Sequence, residues 1–184
     1  MSGDEAVTVG CASVDIVEIA ALRGHALALE RIARERGVQL PALGQVIHTS
    51  DTLALAVRPE RWLILTAAAA AGAAAAGWEA VCSGEATVVD LSSGLAAFHL
   101  AGALAPEVLA RGCRLDLHPQ AFPALRAAAT LMAQVSVVLA ALHSGWLLLT
   151  PATTARHFHE WLASTAQPFG LKGLGEIPMF ECLR

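Results

Sequence analysis

Four short stretches of this sequence contain side chains of the types that carry chemistry. Asp90-Leu91-Ser92-Ser93 sets a carboxylate two residues from a hydroxyl, the raw material of a nucleophile and an acid. Such a pair also needs a base and an oxyanion donor, and the neighbouring sequence supplies neither. The stretch therefore reads as a strand end whose Asp and Ser satisfy nearby backbone groups. Asp116-Leu117-His118-Pro119 has the same spacing before a proline and reads as a turn held by side-chain hydrogen bonds. His157-Phe158-His159 offers metal-ligand types, but two residues at i,i+2 on a helix point about 200° apart and cannot clamp one ion. The glycines of residues 171–176 (LKGLGE) have neither a strand before them nor a helix after them. They read as loop punctuation, not as a phosphate cradle. No residue is assigned to catalysis, to a cofactor or to a metal.

The remaining composition narrows the class. Cys11, Cys82, Cys113 and Cys182 are far apart and form no CxxC pair, which predicts reduced, mostly buried thiols. The opening MSGDEAVTVG has no basic region followed by an apolar block, so no signal peptide is expected and a cytoplasmic location follows. The most apolar run, residues 67–76, is alanine with one glycine and is too weakly hydrophobic to span a bilayer. A net charge of −4 without a basic run argues against nucleic acid. Charged residues make up 15% of the chain, against roughly 25% in an average soluble domain. So few charges cannot cover the surface of a small protein, so this chain is expected to work against another chain, or against a second copy of itself when isolated.

The elements that would hold these residues repeat. Residues 14–20 (VDIVEIA) alternate as a half-buried strand. Residues 24–37 form a helix with Leu29, Ile32 and Ala33 on one face and Glu30 and Arg34 paired at i,i+4 on another. Residues 53–57 and 62–66 are strands around the turn Arg58-Pro59-Glu60, and Thr66 is placed to cap an alanine helix ending near Val81. The second half runs strand (86–91), strand (96–101), helix (102–109), short strand (128–132), strands (136–142 and 146–150) and helix (153–166). Phe158, Trp161 and Leu162 give that last helix its apolar face. RWLILTA (61–67) and GWLLLTP (145–151) are the same phrase. Gly24, Gly37, Trp62 and Trp78 recur as Gly102, Gly112, Trp146 and Trp161. The expected fold is α+β: residues 1–184 as a single domain of two pseudo-symmetric ferredoxin-like (split βαβ) halves sharing a core. Residues 10–83 are repeat one, 86–166 repeat two and 167–184 a C-terminal tail.

Residues 86–122, ATVVDLSSGLAAFHLAGALAPEVLARGCRLDLHPQAF, carry a family resemblance. An Asp-Leu-Ser leads into a strand, a glycine opens a helix, and a Gly-Cys and an Asp-Leu close the unit. With Thr130, Leu131, Ala133 and the Trp146 strand–helix finish, this resembles the gamma subunit of heterotetrameric sarcosine oxidase. The resemblance is carried by residues 86–166, and the first half shares only the pattern. The chain departs from the family at 151–154, where Ala-Thr stands in place of Arg-Ser. The resemblance implies a small relative of the folate-binding domain of the glycine-cleavage T-protein. It also implies an assembly subunit, non-catalytic by itself, in an enzyme that demethylates sarcosine and passes the one-carbon unit to tetrahydrofolate. FAD, FMN, NAD and tetrahydrofolate would then sit in partner alpha and beta subunits.

Two other readings use the same residues. A stand-alone folate-binding, aminomethyltransferase-like protein would need a carboxylate on the pterin edge and an aromatic platform. The chain has no tyrosine, and the tryptophans and phenylalanines of the repeat read as core. A diverged interaction module would need only a docking surface. The tail supplies one candidate: after Pro168 it combines glycines with the apolar Phe169, Leu171, Leu174, Ile177, Met179 and Phe180. A segment both glycine-rich and apolar docks on its own domain, on a partner subunit or on a second copy; the partner reading takes Phe169, Leu171, Ile177, Met179 and Phe180 as the interface.

Overall fold

The computed structural model describes residues 6–173 and 175–177. Its elements in chain order are β1 (Thr8–Ala12), β2 (Val14–Ala21), α1 (Ala26–Glu35), β3 (Val46–His48), β4 (Thr52–Arg58), β5 (Arg61–Ala67), α2 (Ala73–Cys82) and β6 (Ala86–Asp90). They continue with β7 (Leu95–Ala101), α3 (Ala105–Ala110), β8 (Ala127–Met132), β9 (Val135–Leu142), β10 (Gly145–Pro151), α4 (Ala155–Ala166) and β11 (Glu176–Ile177). The chain divides into two compact units, Val14–Ser93 and the remainder. Met179 and Phe180 lie outside the described residues.

In the unit Val14–Ser93 the sheet order is β3-β4-β5-β2-β6. All neighbours are antiparallel, with Ile19 opposite Trp62 across β2 and β5 and Ile19 opposite Val88 across β2 and β6. One face is covered by helices: Leu29 and Ala33 of α1 and Trp78 and Cys82 of α2 pack with Val17, Ile19 and Ile64. Arg36, just after α1, donates from Nη1 to the Gly77 carbonyl at 2.7 Å and lies 4.8 Å from the Trp78 ring centre, tying the two helices together. Burial raises the Cys82 thiol pKa, and the nearby Arg36 charge offsets part of that rise.

The other unit repeats this order as β8-β9-β10-β7-β1 and adds β11 as a sixth strand beside β1. Leu100 lies opposite Trp146 across β7 and β10, as Ile19 lies opposite Trp62. Each tryptophan is the second residue of its strand. The pseudo-symmetric α+β reading therefore holds at the level of register. Its core gathers Val7, Val9, Leu100, Trp146, Phe158 and Leu162. Gly112 sits at the end of α3 because α4 comes so close: a Cβ there would lie 2.4 Å from the Trp161 ring.

The structure places three local features differently from the sequence reading. Residues 86–90, assigned above to the second repeat, pair with β2 and complete the first sheet. The matching position of the second sheet is filled from the N-terminus by β1, antiparallel to β7 from Thr8↔Ala101 to Ala12↔Ala97. Gly102 marks that meeting point. At φ +117 it adopts a backbone conformation disfavoured for other residues, and a Cβ would lie 2.5 Å from the Ala6 carbonyl. The alanine helix starts at Ala73, not after Thr66, because β5 stays paired with β2 through Val14↔Ala67. The Asp15 carboxylate then accepts from the Ala69 amide at 3.1 Å, holding the chain away from helix. Among the described residues the ion pairs are His25–Glu85, Arg61–Glu18 and Arg156–Glu160, so Glu30 and Arg34 do not pair.

His99 lies between Phe98 and Leu100 on β7 and points to the face opposite theirs. It is 4% exposed, its Nε2 has no hydrogen-bond partner, and burial lowers its pKa. The folded state thus favours neutral His99, whereas the unfolded chain takes up the proton near about pH 6.5. Below that pH the unfolded state binds more protons, so stability falls as pH falls. His99→Leu is expected to flatten this dependence and to gain about 1–3 kcal/mol by removing the unpartnered nitrogen. Melting temperatures at about pH 7.5 and about pH 5.5 test it, and equal drops in both proteins would reject it.

Candidate functional site

The stretches singled out for chemistry resolve into local structure. Asp90 Oδ1 accepts from the Ser92 amide at 2.9 Å, and Ser92 Oγ accepts from the Ile16 amide at 3.1 Å. Hydrogen bonds from the Ser92 side chain and backbone hold the Asp90 carboxyl below its usual range. Asp116 Oδ1 accepts from the His118 amide at 2.9 Å, and His118 Nδ1 accepts from the Gln120 amide at 3.3 Å. Both act as backbone ties at turns. On α4, Phe158 is buried while His157 is exposed; His159 is half-buried with its ring stacked on Phe98 at 5.9 Å. No cluster of three potential metal ligands occurs among the described residues.

The tail runs along its own unit. After α4, a short 3-10 turn (Gln167–Phe169) ends at Gly170 in the left-handed region. The Lys172 amide donates to the Val7 carbonyl at 2.8 Å, and the Cys11 amide donates to the Gly175 carbonyl at 3.1 Å. β11 then joins β1 in parallel, Ala12 opposite Ile177. Gly170 therefore closes the 3-10 turn, and Gly173 and Gly175 flank the backbone bonds that tie residues 172 and 175 to the edge of β1, which is not the geometry of a dinucleotide cradle. Phe169 and Leu171 pack against the core of this unit, and Arg111 lies 5.7 Å from the Phe169 ring centre. Both side chains stay half-exposed, so any partner would meet only their outer surface.

The repeat also builds two clefts that the sequence reading did not find. Each lies beside the tryptophan of the repeated phrase, between its hairpin turn and the loop that follows the unit's first helix. The cleft beside Trp62 has about 360 Å³ and includes Leu40, Pro41, Leu43, Arg58 and Glu60. The Trp62 indole N–H donates to the Pro41 carbonyl at 2.8 Å and pins the loop. The cleft beside Trp146 has about 450 Å³ and includes Leu117, Phe122, Leu142 and Ser144. There Phe122 stacks on Trp146 at 5.8 Å, and the Ser144 hydroxyl is buried without a partner. Glu60 and Ser144 stand at the same place, two residues before each tryptophan. No local sequence periodicity signals these clefts. The recurrence of Trp62 as Trp146 was the available sign.

Among the described residues, the stretches singled out for chemistry thus act as turn ties and packing surfaces, and the repeat adds two clefts. A family model for the sarcosine oxidase gamma subunit matches residues 23–167. The chain belongs to the sarcosine oxidase gamma subunit family. The match reaches into the first half, where the sequence showed only the pattern. A gamma subunit from Arthrobacter sp is 33% identical over 151 residues, covering 79% of this chain and 71% of that protein. One from Corynebacterium sp. (strain P-1) is 35% identical over 83 residues, covering 45% and 41%. Among solved structures, a chain of the heterotetrameric sarcosine oxidase from Corynebacterium sp. U-96, in complex with pyrrole 2-carboxylate, is similar with a TM-score of 0.81 and 28% identity. That likeness covers 95% of this chain and 90% of the other. The glycine cleavage system aminomethyltransferase T from Bartonella henselae matches at a TM-score of 0.66 and 14% identity, over 97% of this chain and 50% of that one. It shares the fold with this gamma family member. No helix of the described residues is long and apolar enough to cross a membrane.

Proposed function

We propose that this chain is a non-catalytic assembly subunit of a heterotetrameric sarcosine oxidase-type enzyme. The observation that carries the reading is the near end-to-end likeness to a chain of such a heterotetramer. The low charge content supports it, since a charge-poor surface is covered at least cost by another chain. On this reading the partners are the alpha and beta subunits, which hold FAD, FMN, NAD and tetrahydrofolate, and the complex is cytoplasmic. The exposed parts of Phe169 and Leu171, with Ile177, Met179 and Phe180 beyond, form one part of the contact.

Purification with and without the large subunits tests this. The chain alone is expected to be colourless, to produce no peroxide from sarcosine and to give no saturable heat with tetrahydrofolate. Co-expressed with the large subunits, it is expected to co-purify with flavin absorbance and oxidase activity. A yellow preparation of the lone chain, or peroxide from it, would overturn the reading. Tight tetrahydrofolate binding by the lone chain would favour the aminomethyltransferase-like alternative.

A further inference from the structure

The loops that follow α1 and α3 align through matched backbone bonds. The Gly44 and Leu125 amides donate to the Ala56 and Ala141 carbonyls, both at 2.7 Å. The Gln45 and Arg126 amides donate to Ala42 and Pro123, and those of Ala56 and Ala141 donate back to Gln45 and Arg126. Gly44 and Leu125 both stand in the left-handed region, at φ +79 and +63. This alignment puts Phe122 at the place of Pro41, as Trp146 is at the place of Trp62. The exchange changes what the tryptophan does. The Trp62 indole N–H is spent on the Pro41 carbonyl at 2.8 Å. Phe122 instead lays its ring on Trp146, with centres 5.8 Å apart. The Trp146 indole N–H makes no hydrogen bond among the described residues.

That donor is open to the cleft. Among the described residues, the buried side-chain N and O atoms without a partner are His99 Nε2 and Ser144 Oγ. The unpaired Trp146 Nε1 therefore reaches the surface, and Trp146 lines this cleft. A second polar group stands beside it. Ser144 lines the same cleft, and no hydrogen bond holds its hydroxyl, so one rotation about χ1 turns it outward. The floor is apolar: Leu117, Phe122, Leu142 and Trp146 each show 7–8% of their surface. His143, exposed on the turn, is the sole titratable lining residue. A charged ligand would lose water here with little to replace it. The volume of about 450 Å³ suits a small molecule.

We infer that the cleft beside Trp146 binds a small uncharged molecule with a ring-sized apolar body and a carbonyl acceptor, of the aromatic amide class. The other repeat shows what an indole N–H at this position takes: the Pro41 carbonyl, itself an amide oxygen. In the cleft beside Trp146 the ligand's carbonyl takes that place, and the Ser144 hydroxyl supplies a second donor. The ring of the ligand packs on Leu117, Phe122 and Leu142. The inference adds a ligand site to this chain and stands whether or not the subunit reading does.

The test uses the full chain labelled with nitrogen-15, whose four tryptophans give four indole N–H signals. Benzamide is the probe. Its titration is expected to shift one indole signal saturably, and that signal is the one lost in Trp146→Phe. The signal lost in Trp62→Phe is expected to stay in place, because that N–H is already bonded. Benzoate, the same ring with a charge, is expected to bind about tenfold more weakly. Ser144→Ala is expected to weaken benzamide binding about three- to tenfold. Should Trp146→Phe not fold, Phe122→Leu identifies the signal, because loss of the stacked ring moves the Trp146 resonance most. The absence of a saturable shift, a shift of the Trp62 signal in its place, or equal binding of benzoate would overturn the site. Unchanged benzamide affinity in Ser144→Ala would overturn the pairing of the two donors.

Discussion

A chain lacking residues 1–12 is expected to lose the fold of the unit that contains β7–β10 while keeping native-like protection in β2 and β5. β1 fills the position beside β7 that β6 fills beside β2 in the other sheet. Its removal takes fully buried Val7 and Val9 out of the core, at about 1.5–3 kcal/mol each. It also strips β7 of a five-residue ladder and leaves the tail strand without the edge it pairs with. A sheet that loses that much at once falls below the margin of a typical domain. Amide hydrogen exchange is the direct measurement: fast exchange in β7 and β10 with slow exchange in β2 and β5 is expected. Unchanged protection in β7 would mean that the N-terminal strand is dispensable.

The second large effect is at Phe158. Its ring is fully buried and lies 5.6 Å from the rings of both Phe98 and Trp161. Phe158→Ala is expected to cost about 3–5 kcal/mol, from lost transfer energy and the cavity left behind. For a chain of this size that lowers the melting temperature on the order of 10 °C. His157→Ala, one residue away and exposed, is expected to change it by less than about 0.5 kcal/mol. Thermal melts of the two variants decide it. A comparable loss at His157 would show that the histidine does something the packing does not explain.

That contrast shows what was legible in the sequence. A histidine-flanked phenylalanine looked like ligand chemistry only as a string, and helical geometry alone removed the metal reading. Short-range patterns were readable: α1 and α4 from their apolar faces, and the β4–β5 and β9–β10 hairpins from strands flanking a tight turn. The repeat itself was readable because the tryptophan phrases occupy matching register, opposite Ile19 and Leu100. The side-chain ties at Asp90, Ser92, Asp116 and His118 also followed from residue type.

Partnership over distance was not legible. The strand 86–90 has the same local signal whichever sheet it joins, and β1 shows nothing in its own residues that names β7 as its neighbour. The three-residue β3 is too short to carry periodicity. The alanine run has high helix propensity throughout, yet pairing with β2 holds its first residue in a strand. The two clefts escaped because the lining of each comes from a helix, a loop and a hairpin turn, which only the folded chain brings together.

The exchanged strand also sets an order of events at the ribosome. The stretch Val14–Ser93 is contiguous, so all of its sheet has been synthesised by the time β6 appears. β1 leaves first yet finds its ladder partner roughly 85 residues later, a delay of several seconds at about 5–20 residues per second. For that interval a nascent apolar strand, with Val7 and Val9 destined for a core that does not yet exist, waits with its backbone groups unmatched. Slowing translation after Ser93 would lengthen the wait, and capture of the waiting strand by a chaperone or by a neighbouring nascent chain would be the natural failure during overproduction.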